Sequence, residues 1–158
     1  MPSETDIANV ALRLVGGTRI TSLTQATPNA NAVNDIYEQV RDDMLEFPWN
    51  FATQRVELAQ LSTTPAFGYD FAYALPADWL YTISVHDNDG GYGTIDYREE
   101  QVANQKVLST DRTSVYLTYV KKETDPNLMP ASFRLALASA LARNLAIPLA
   151  NSNVLEDQ

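Results

Sequence analysis

The sequence predicts an α+β protein in which a compact antiparallel β unit is inserted into a small helical bundle. Three observations lead to this prediction. Apolar residues recur with a helical period up to residue 46, the period changes to two after Pro48, and a helical pattern returns at Ala131. We therefore expect a helical hub of three helices and the start of a fourth, formed by residues 1–49 and 123–158. The β insertion is expected at residues 50–122.

The first helix is predicted over "SETDIANVALRLVGG". Ser3 and Asp6 have the spacing of a capping box, in which each side chain accepts a hydrogen bond from the other residue's main chain. Gly16 and Gly17 supply the stop, since glycine favours the left-handed conformation at a helix end. The apolar side chains that share one face of this helix are Ile7, Val10, Ala11 and Leu14.

A second helix is predicted over about residues 29–46, with Pro48 ending it because the residue before proline avoids the helical region. The polar side chains, including Arg41, fall elsewhere on the helix, mostly opposite its apolar face, and its acids are expected in solvent. The members of that apolar face are Val33, Ile36, Tyr37, Val40, Met44 and Phe47.

The third helix is predicted from Ala131 to Ile147 and is apolar nearly all round, which is typical of a helix buried on most sides. Pro148 is expected to end or kink it. Asn153 and Glu156 then have the spacing of a helix start, which is the predicted beginning of the fourth helix.

The β insertion is predicted from short alternating segments. Residues 52–58 suit a half-buried strand. In the segment 79–86 one face is expected to carry Trp79, Tyr81, Ile83 and Val85, and the other Thr82, Ser84 and His86. "TIDY", "KVLS" and "SVYLTYV" are predicted strands, the last two joined through "STDRTS" as a hairpin, and "HDNDGGYG" is a predicted loop.

An aromatic cluster stands where the helical period gives way to the strand period. It consists of Phe47, Pro48, Trp49 and Phe51. We expect all four at the junction between the hub and the β insertion, with Trp49 and Phe51 buried there as a plug.

The composition argues against catalysis and against general nucleic-acid binding. The net charge is −9, whereas a general nucleic-acid binder needs a basic surface. Without cysteine there is no thiolate metal site or cysteine nucleophile, and His86 is the single histidine, expected to be structural. "DNDGGY" lacks the ligands of an EF-hand calcium loop. We therefore expect no enzyme activity, no cofactor and no metal.

Carboxylate pairs leave one alternative open. Asp42–Asp43, Glu99–Glu100, Asp87 and Asp89, together with the aromatic residues of the β unit, would suit a carbohydrate-binding or polysaccharide-hydrolysing phage tail module. Glycosidases place two carboxyl groups roughly 5–9.5 Å apart across a cleft. That separation in space is what would distinguish a hydrolase from a structural protein.

Several segments, taken in order, resemble one protein family. "ANVALRLVGG", "NAVNDIYEQVRDDMLEFPWNFATQRVELA" and "YALPADWL" are similar to the head–tail adaptors of short-tailed bacteriophages, also called tail tubular protein A, head–tail connector or gatekeeper. "MPASFRLALASALARNLA" resembles the third helix of that family. The matching positions are Asn31–Ala32, Tyr37, Arg41, Pro48–Trp49, Phe51–Ala52, Arg55, Leu58–Ala59, Tyr73, Leu75–Pro76 and Asp78–Leu80.

The resemblance implies a structural virion protein at the head–tail junction, made in the host cytoplasm, without membrane contact. It implies a dodecameric ring that joins the portal protein to a tail nozzle protein similar to tail tubular protein B, with tail fibres nearby. The ring would extend the DNA channel for genome retention and ejection, without sequence-specific DNA binding. The isolated chain is expected to be a monomer. A neck protein of a long-tailed phage belongs to the same class and differs in the tail that it meets.

Two contact surfaces follow from the resemblance. The portal-facing interface is expected around Asn151, Asn153 and Leu155, and the tail-facing loop at Asp87, Asp89 and Tyr92. Family members continue into a further C-terminal segment that contacts the portal, while this sequence stops at Gln158. We therefore expect the portal contact to be shortened here or to need a longer chain.

Overall fold

The computed structural model describes the main chain of residues 1–156 and the side chains of residues 1–146. It has three α-helices and two small antiparallel sheets, which confirms the predicted α+β class. The helices are α1 (Glu4–Leu14), α2 (Pro28–Leu45) and α3 (Ala131–Glu156). The strands are β1 (Thr53–Glu57), β2 (Phe71–Ala74), β3 (Trp79–His86), β4 (Arg98–Val102), β5 (Gln105–Thr110) and β6 (Tyr116–Lys121).

The chain divides into two compact units. One unit, here the helical unit, consists of Met1–Leu45 and Glu123–Gln158. The other unit, here the β unit, is the continuous segment Glu46–Lys122. The sequence predicted boundaries after residues 49 and 122, whereas the two units divide after residues 45 and 122.

The start of α1 is the predicted capping box. The main-chain N–H of Asp6 donates to Ser3 Oγ at 3.1 Å, and the main-chain N–H of Ser3 donates to Asp6 Oδ2 at 3.0 Å. The hydrogen bonds from Ser3 lower the pKa of the Asp6 carboxyl. At the other end the N–H of Gly17 donates to the carbonyl of Leu12 at 2.8 Å, while Gly16 has the left-handed φ of 75°. Both ends of this helix therefore form as the local sequence predicts.

The buried face of α1 differs from the predicted one. Leu14, expected on the apolar face, is 55% exposed, whereas Ala8 and Leu12 are fully buried together with Ile7 and Ala11. The buried stripe is thus rotated around the helix, because α1 packs against α3 rather than equally against both helices.

Arg41 of α2 lies in a different environment from the one predicted from the sequence. This side chain is 1% exposed, so its placement among the polar residues away from the apolar face was wrong. Its Nε donates to Asp42 Oδ1 at 2.9 Å, and its Nη1 lies 3.6 Å from Glu4 Oε1 in the first turn of α1. A buried charge is tolerated only when it is paired, and these two carboxylates provide the pairing. The buried residues of α2 are Ala30, Val33, Tyr37, Arg41 and Leu45.

α3 packs against both α1 and α2. Its buried residues include Phe133, Leu137 and Leu141, but Leu135 is 61% exposed, so the described part of the helix is buried on one face and not on most sides. The helix does not end at Pro148, and the predicted fourth helix falls inside α3. Proline removes one main-chain donor at a cost of about 3 kcal/mol, which a long alanine- and leucine-rich helix can bear.

The pairing of the strands differs from the prediction. β6 lies between β1 and β3 in one sheet, and β5 lies between β2 and β4 in the other, so the predicted hairpin between β5 and β6 was wrong. β5 instead forms a hairpin with β4 through Ala103 and Asn104, whose φ angles of 49° and 63° suit a two-residue turn. The segment "TIDY" is not a strand and precedes β4.

The burial of β1 and β3 also differs from the expected alternation. β1 is an edge strand, so Gln54–Glu57 are all exposed rather than half-buried. In β3, register shifts lie between Trp79 and Tyr81 and between Thr82 and Ser84. Because each bulge changes the face that follows it, the expected common face of β3 is interrupted. Val85 is buried, but Tyr81 and Ile83 are exposed, so their expected place beside Val85 was wrong.

The inner faces of the two sheets share one core. Tyr73 and Leu108 come from the β2-β5-β4 sheet, while Leu117 and Tyr119 come from β6. Two buried tyrosines satisfy their hydroxyl groups there: Tyr73 donates to the carbonyl of Arg112 at 2.6 Å, and Tyr119 donates to Asp78 Oδ1 at 3.0 Å.

Removal of the N-cap should weaken the helical unit. We expect Ser3→Ala to lower the free energy of unfolding by about 1 kcal/mol, because one main-chain N–H loses its acceptor. Ser139→Ala is the matched control: its hydroxyl only donates back to the carbonyl of Leu135 within α3, at an exposed position. Urea denaturation of the two variants measures the difference, and equal stability would contradict a role for the cap.

Tyr119 should make the fold sensitive to alkaline pH. Burial, and then the hydrogen bond to Asp78, raise the pKa of Tyr119 from 10 to about 12. Its neutral form therefore contributes stability fully below pH 10, and this contribution is lost as the pH rises through about 12. We expect Tyr119→Phe to lose less stability than the parent over that pH range, measured by urea denaturation. A parallel decline in both proteins would contradict this assignment.

Candidate functional site

The outer face of the β1-β6-β3 sheet forms an open groove. Tyr116 of β6 pairs with Glu57 of β1 on one side and with His86 of β3 on the other. One step along β6, Thr118 lies between Arg55 and Ser84. These two rows and the loop after β3 line a groove of about 630 Å³.

The loop after β3 is braced by its own side chains. Asn88 Nδ2 donates to the carbonyl of Tyr92 at 2.9 Å, and the Tyr92 N–H donates to Asn88 Oδ1 at 3.1 Å. Gly91 and Gly93 have φ angles of 70° and 72°, which few other residues adopt. The result is a defined turn that holds the Tyr92 ring 80% exposed.

His86 secures the base of this loop. Its Nδ1 lies 2.6 Å from the carbonyl of Gly93 and its Nε2 lies 3.1 Å from Ser84 Oγ. A carbonyl can only accept, so Nδ1 carries the proton and donates. With both ring nitrogens engaged, this geometry agrees with the structural role expected for His86.

The three residues predicted for the tail-facing loop occupy different positions in it. Asp87 lies 3.6 Å from Arg112 Nη1 in an exposed ion pair, whereas Asp89 lines the groove and Tyr92 is at the exposed tip. Glu57 first, and Asp89 to a smaller extent, raise the pKa of Tyr116 by their negative charge. One edge of the groove is therefore acidic.

A second groove, of about 700 Å³, lies between residues 64–69 and β4. Phe67 stands at its margin with its side chain 89% exposed, next to Gly68 with a φ of 94°. Asp96, Arg98 and Glu100 line the same groove. Phe67 was not among the site residues predicted from the sequence. The turn "TPAFG", with an aromatic ring between turn residues, was the available signal.

The aromatic cluster at the start of the β unit is only partly buried. The rings of Phe47 and Trp49 are 5.3 Å apart in an edge-to-face arrangement, and those of Trp49 and Phe51 are 6.0 Å apart. Phe47, expected on the apolar face of the second helix, is 58% exposed, so that placement was wrong. Trp49 and Phe51, the predicted plug, are half-buried, and Pro48 is exposed. Phe51 lies in the short 3₁₀ turn Asn50–Ala52, which leads into β1.

The predicted portal-facing residues Asn151, Asn153 and Leu155 lie outside the residues whose side chains are described. Within the described part of the chain, no three acidic or histidine side chains are grouped so that they could hold a metal ion. None of the described helices is long and apolar enough to cross a membrane.

No protein-family model matches this chain, and no curated protein matches it significantly. The functional interpretation therefore depends on the sequence resemblance and on the surfaces described above.

The bracing by Asn88 can be tested directly. We expect Asn88→Ala to increase the rate of amide hydrogen exchange at Tyr92 at least severalfold, because the Tyr92 N–H loses its acceptor. Asp89→Ala is the matched control, since the neighbouring Asp89 carboxylate accepts none of the loop hydrogen bonds described above. Equal exchange in both variants would show that the turn is held by the glycines alone.

Proposed function

We propose that this protein is a structural adaptor of a phage head–tail junction, joining the portal to the tail nozzle and extending the DNA channel. The observation that carries the proposal is the braced loop after β3, with Tyr92 exposed at its tip. An aromatic side chain held in place on a rigid turn loses little entropy on binding and is typical of residues that dominate protein–protein contacts.

The charge of the chain supports a passive channel. With a net charge of −9, a ring of copies carries a large negative charge, and a lumen of that sign repels DNA phosphates. The duplex could then pass without being gripped. In this proposal the protein is a virion component, assembled in the host cytoplasm, and binds no specific DNA sequence.

The proposed assembly is a dodecameric ring formed on the portal. Head-to-tail contacts between copies close such a ring when the rotation per subunit divides a full turn. The segment with Asn151, Asn153 and Leu155 is proposed to face the portal, and the loop with Asp87, Asp89 and Tyr92 to face the nozzle.

The groove on the β1-β6-β3 sheet favours a second candidate, a glycan-binding module. Tyr116 pairs with Glu57, and the negative charge of Asp89 contributes to the raised pKa of Tyr116. An aromatic ring and two acids therefore line one concave surface. Sugars bind such surfaces through ring stacking and hydrogen bonds to carboxylates. Hydrolysis would additionally require the two carboxyl groups to work as an acid and a base or nucleophile.

The adaptor proposal is tested by reconstitution. A chain extended past Gln158 is mixed with the portal protein of the same phage and imaged by electron microscopy, and we expect a ring of density below the portal. Absence of a ring would contradict the proposal. Binding of the isolated chain to host surface polysaccharide, lost in Tyr116→Ala, would support the glycan-binding candidate instead.

The loop is tested with the assembled ring. We expect Tyr92→Ala to weaken nozzle binding about 30-fold while the ring still forms, since truncating a central aromatic contact typically costs about 2 kcal/mol. Phe67→Ala is the control, because Phe67 is an equally exposed ring in another loop. Equal effects of the two variants would remove the assignment of the loop to the tail contact.

A further inference from the structure

The outer edge of β1 is open. The N–H of Leu58 donates to the carbonyl of Val115 at 2.9 Å, which continues the β1–β6 ladder by one pair. In an antiparallel ladder alternate residues face the partner strand, so Gln54 and Val56 bond to β6 while Arg55 and Glu57 direct their N–H and C=O groups outward. No described residue provides a main-chain partner for these outward groups, and Gln54–Glu57 are all exposed.

The other three strand edges are guarded. Residues 59–61 cover β2, with Leu61 N–H donating to the carbonyl of Ala72 at 2.8 Å. β3 carries two bulges, and β4 carries two adjacent acids, Glu99 and Glu100, next to Arg98. Natural proteins guard sheet edges by cover, bulges and like charges, whereas β1 is neither covered nor bulged, and its charged residues Arg55 and Glu57 are of opposite sign.

We propose that β1 is the contact surface for a second copy of this chain, paired antiparallel with a two-fold axis at Val56. Because the outward groups belong to odd-numbered residues, a symmetric pair can be centred on Arg55, Val56 or Glu57. A centre at Arg55 places the two copies of Arg55 opposite each other, and a centre at Glu57 does the same for the two copies of Glu57. A centre at Val56 places Arg55 of each copy opposite Glu57 of the other, which gives two unlike pairs.

The register centred on Val56 also provides hydrogen-bond partners for the outward main-chain groups and covers apolar surface. The two Arg55–Glu57 pairs are hydrogen-bonded pairs, so each exchanges two main-chain hydrogen bonds. Val56 is 37% exposed, and its copy would lie directly across the axis on the inner face of the joined sheet. An isologous contact of this kind closes at two copies and cannot continue into a ring.

The contact is short, so the association is weak and depends on concentration. It concerns the free chain and does not rest on the proposed adaptor role. The family resemblance implies a free monomer, whereas the edge of β1 predicts a monomer–dimer equilibrium, and the two expectations can be separated by experiment.

Charge reversal tests the register. We expect Arg55→Glu and Glu57→Arg each to weaken dimerisation by about tenfold, because each creates two like-charge pairs. The double variant Arg55→Glu/Glu57→Arg restores unlike pairs and should dimerise as the parent does. Sedimentation equilibrium measures the association, and thermal melts confirm that these exposed substitutions leave the fold intact. A parent that is monomeric at all accessible concentrations, or a double variant that stays monomeric, would overturn the proposal.

Cross-linking tests the position of the two-fold axis. The chain has no cysteine, so Val56→Cys introduces a single thiol. Residues across the axis in a non-hydrogen-bonded pair have Cα atoms about 4.5 Å apart, within the range of a disulfide. Gln54→Cys is the matched control on the same face, with its copy about 13 Å away along the strand. We expect oxidation to give disulfide dimers of Val56→Cys only. No dimer, or equal yields from both variants, would contradict the register.

Discussion

The β unit depends on β6, which is paired on both sides. β1 takes one side and β3 the other, so β6 is the one strand of its sheet whose main-chain groups are satisfied along both edges. Its side chains also serve two purposes. Leu117 and Tyr119 point into the core, whereas Tyr116 and Thr118 form the floor of the outer groove. The core and the candidate binding surface are therefore opposite faces of the same strand.

The central position of β6 leaves additional strand edges elsewhere in the β unit. With both sides of β6 occupied, β5 cannot pair with it, although the two strands are separated by only a short connection, and a second sheet is built around β5 instead. Two separate sheets have four edges, where a single continuous sheet has two. Three of them are covered, bulged or acidic, and the open edge of β1 is what remains.

The parts of the fold that depend on local sequence were predictable. The ends of α1 follow from Ser3, Asp6 and the glycine pair, and α2 follows from its period and Pro48. The strand pairing was not predictable in this way, because the sequence of β4 shows no alternation of apolar and polar residues. Its turn through Ala103 and Asn104 also lacks the usual glycine. Arg41 shows the same limit, since the spacing from Tyr37 to Leu45 places it on the buried face while its charge suggests solvent.

The candidate site was predicted in part for a similar reason. The glycine-rich segment after β3 was identifiable as a loop, but its rigidity comes from the specific bonds of Asn88, and its connection to the sheet comes from His86. The groove beneath it requires the pairing of β1 with β6, which sequence reasoning did not give. The two proposed contact surfaces would bind a partner through different interactions. The loop offers a side chain whose contact depends on the shape of the partner, whereas the edge of β1 offers main-chain groups that any compatible strand can meet. An edge of that kind needs the charges of Arg55 and Glu57 to select its partner, and a second copy of β1 meets that requirement.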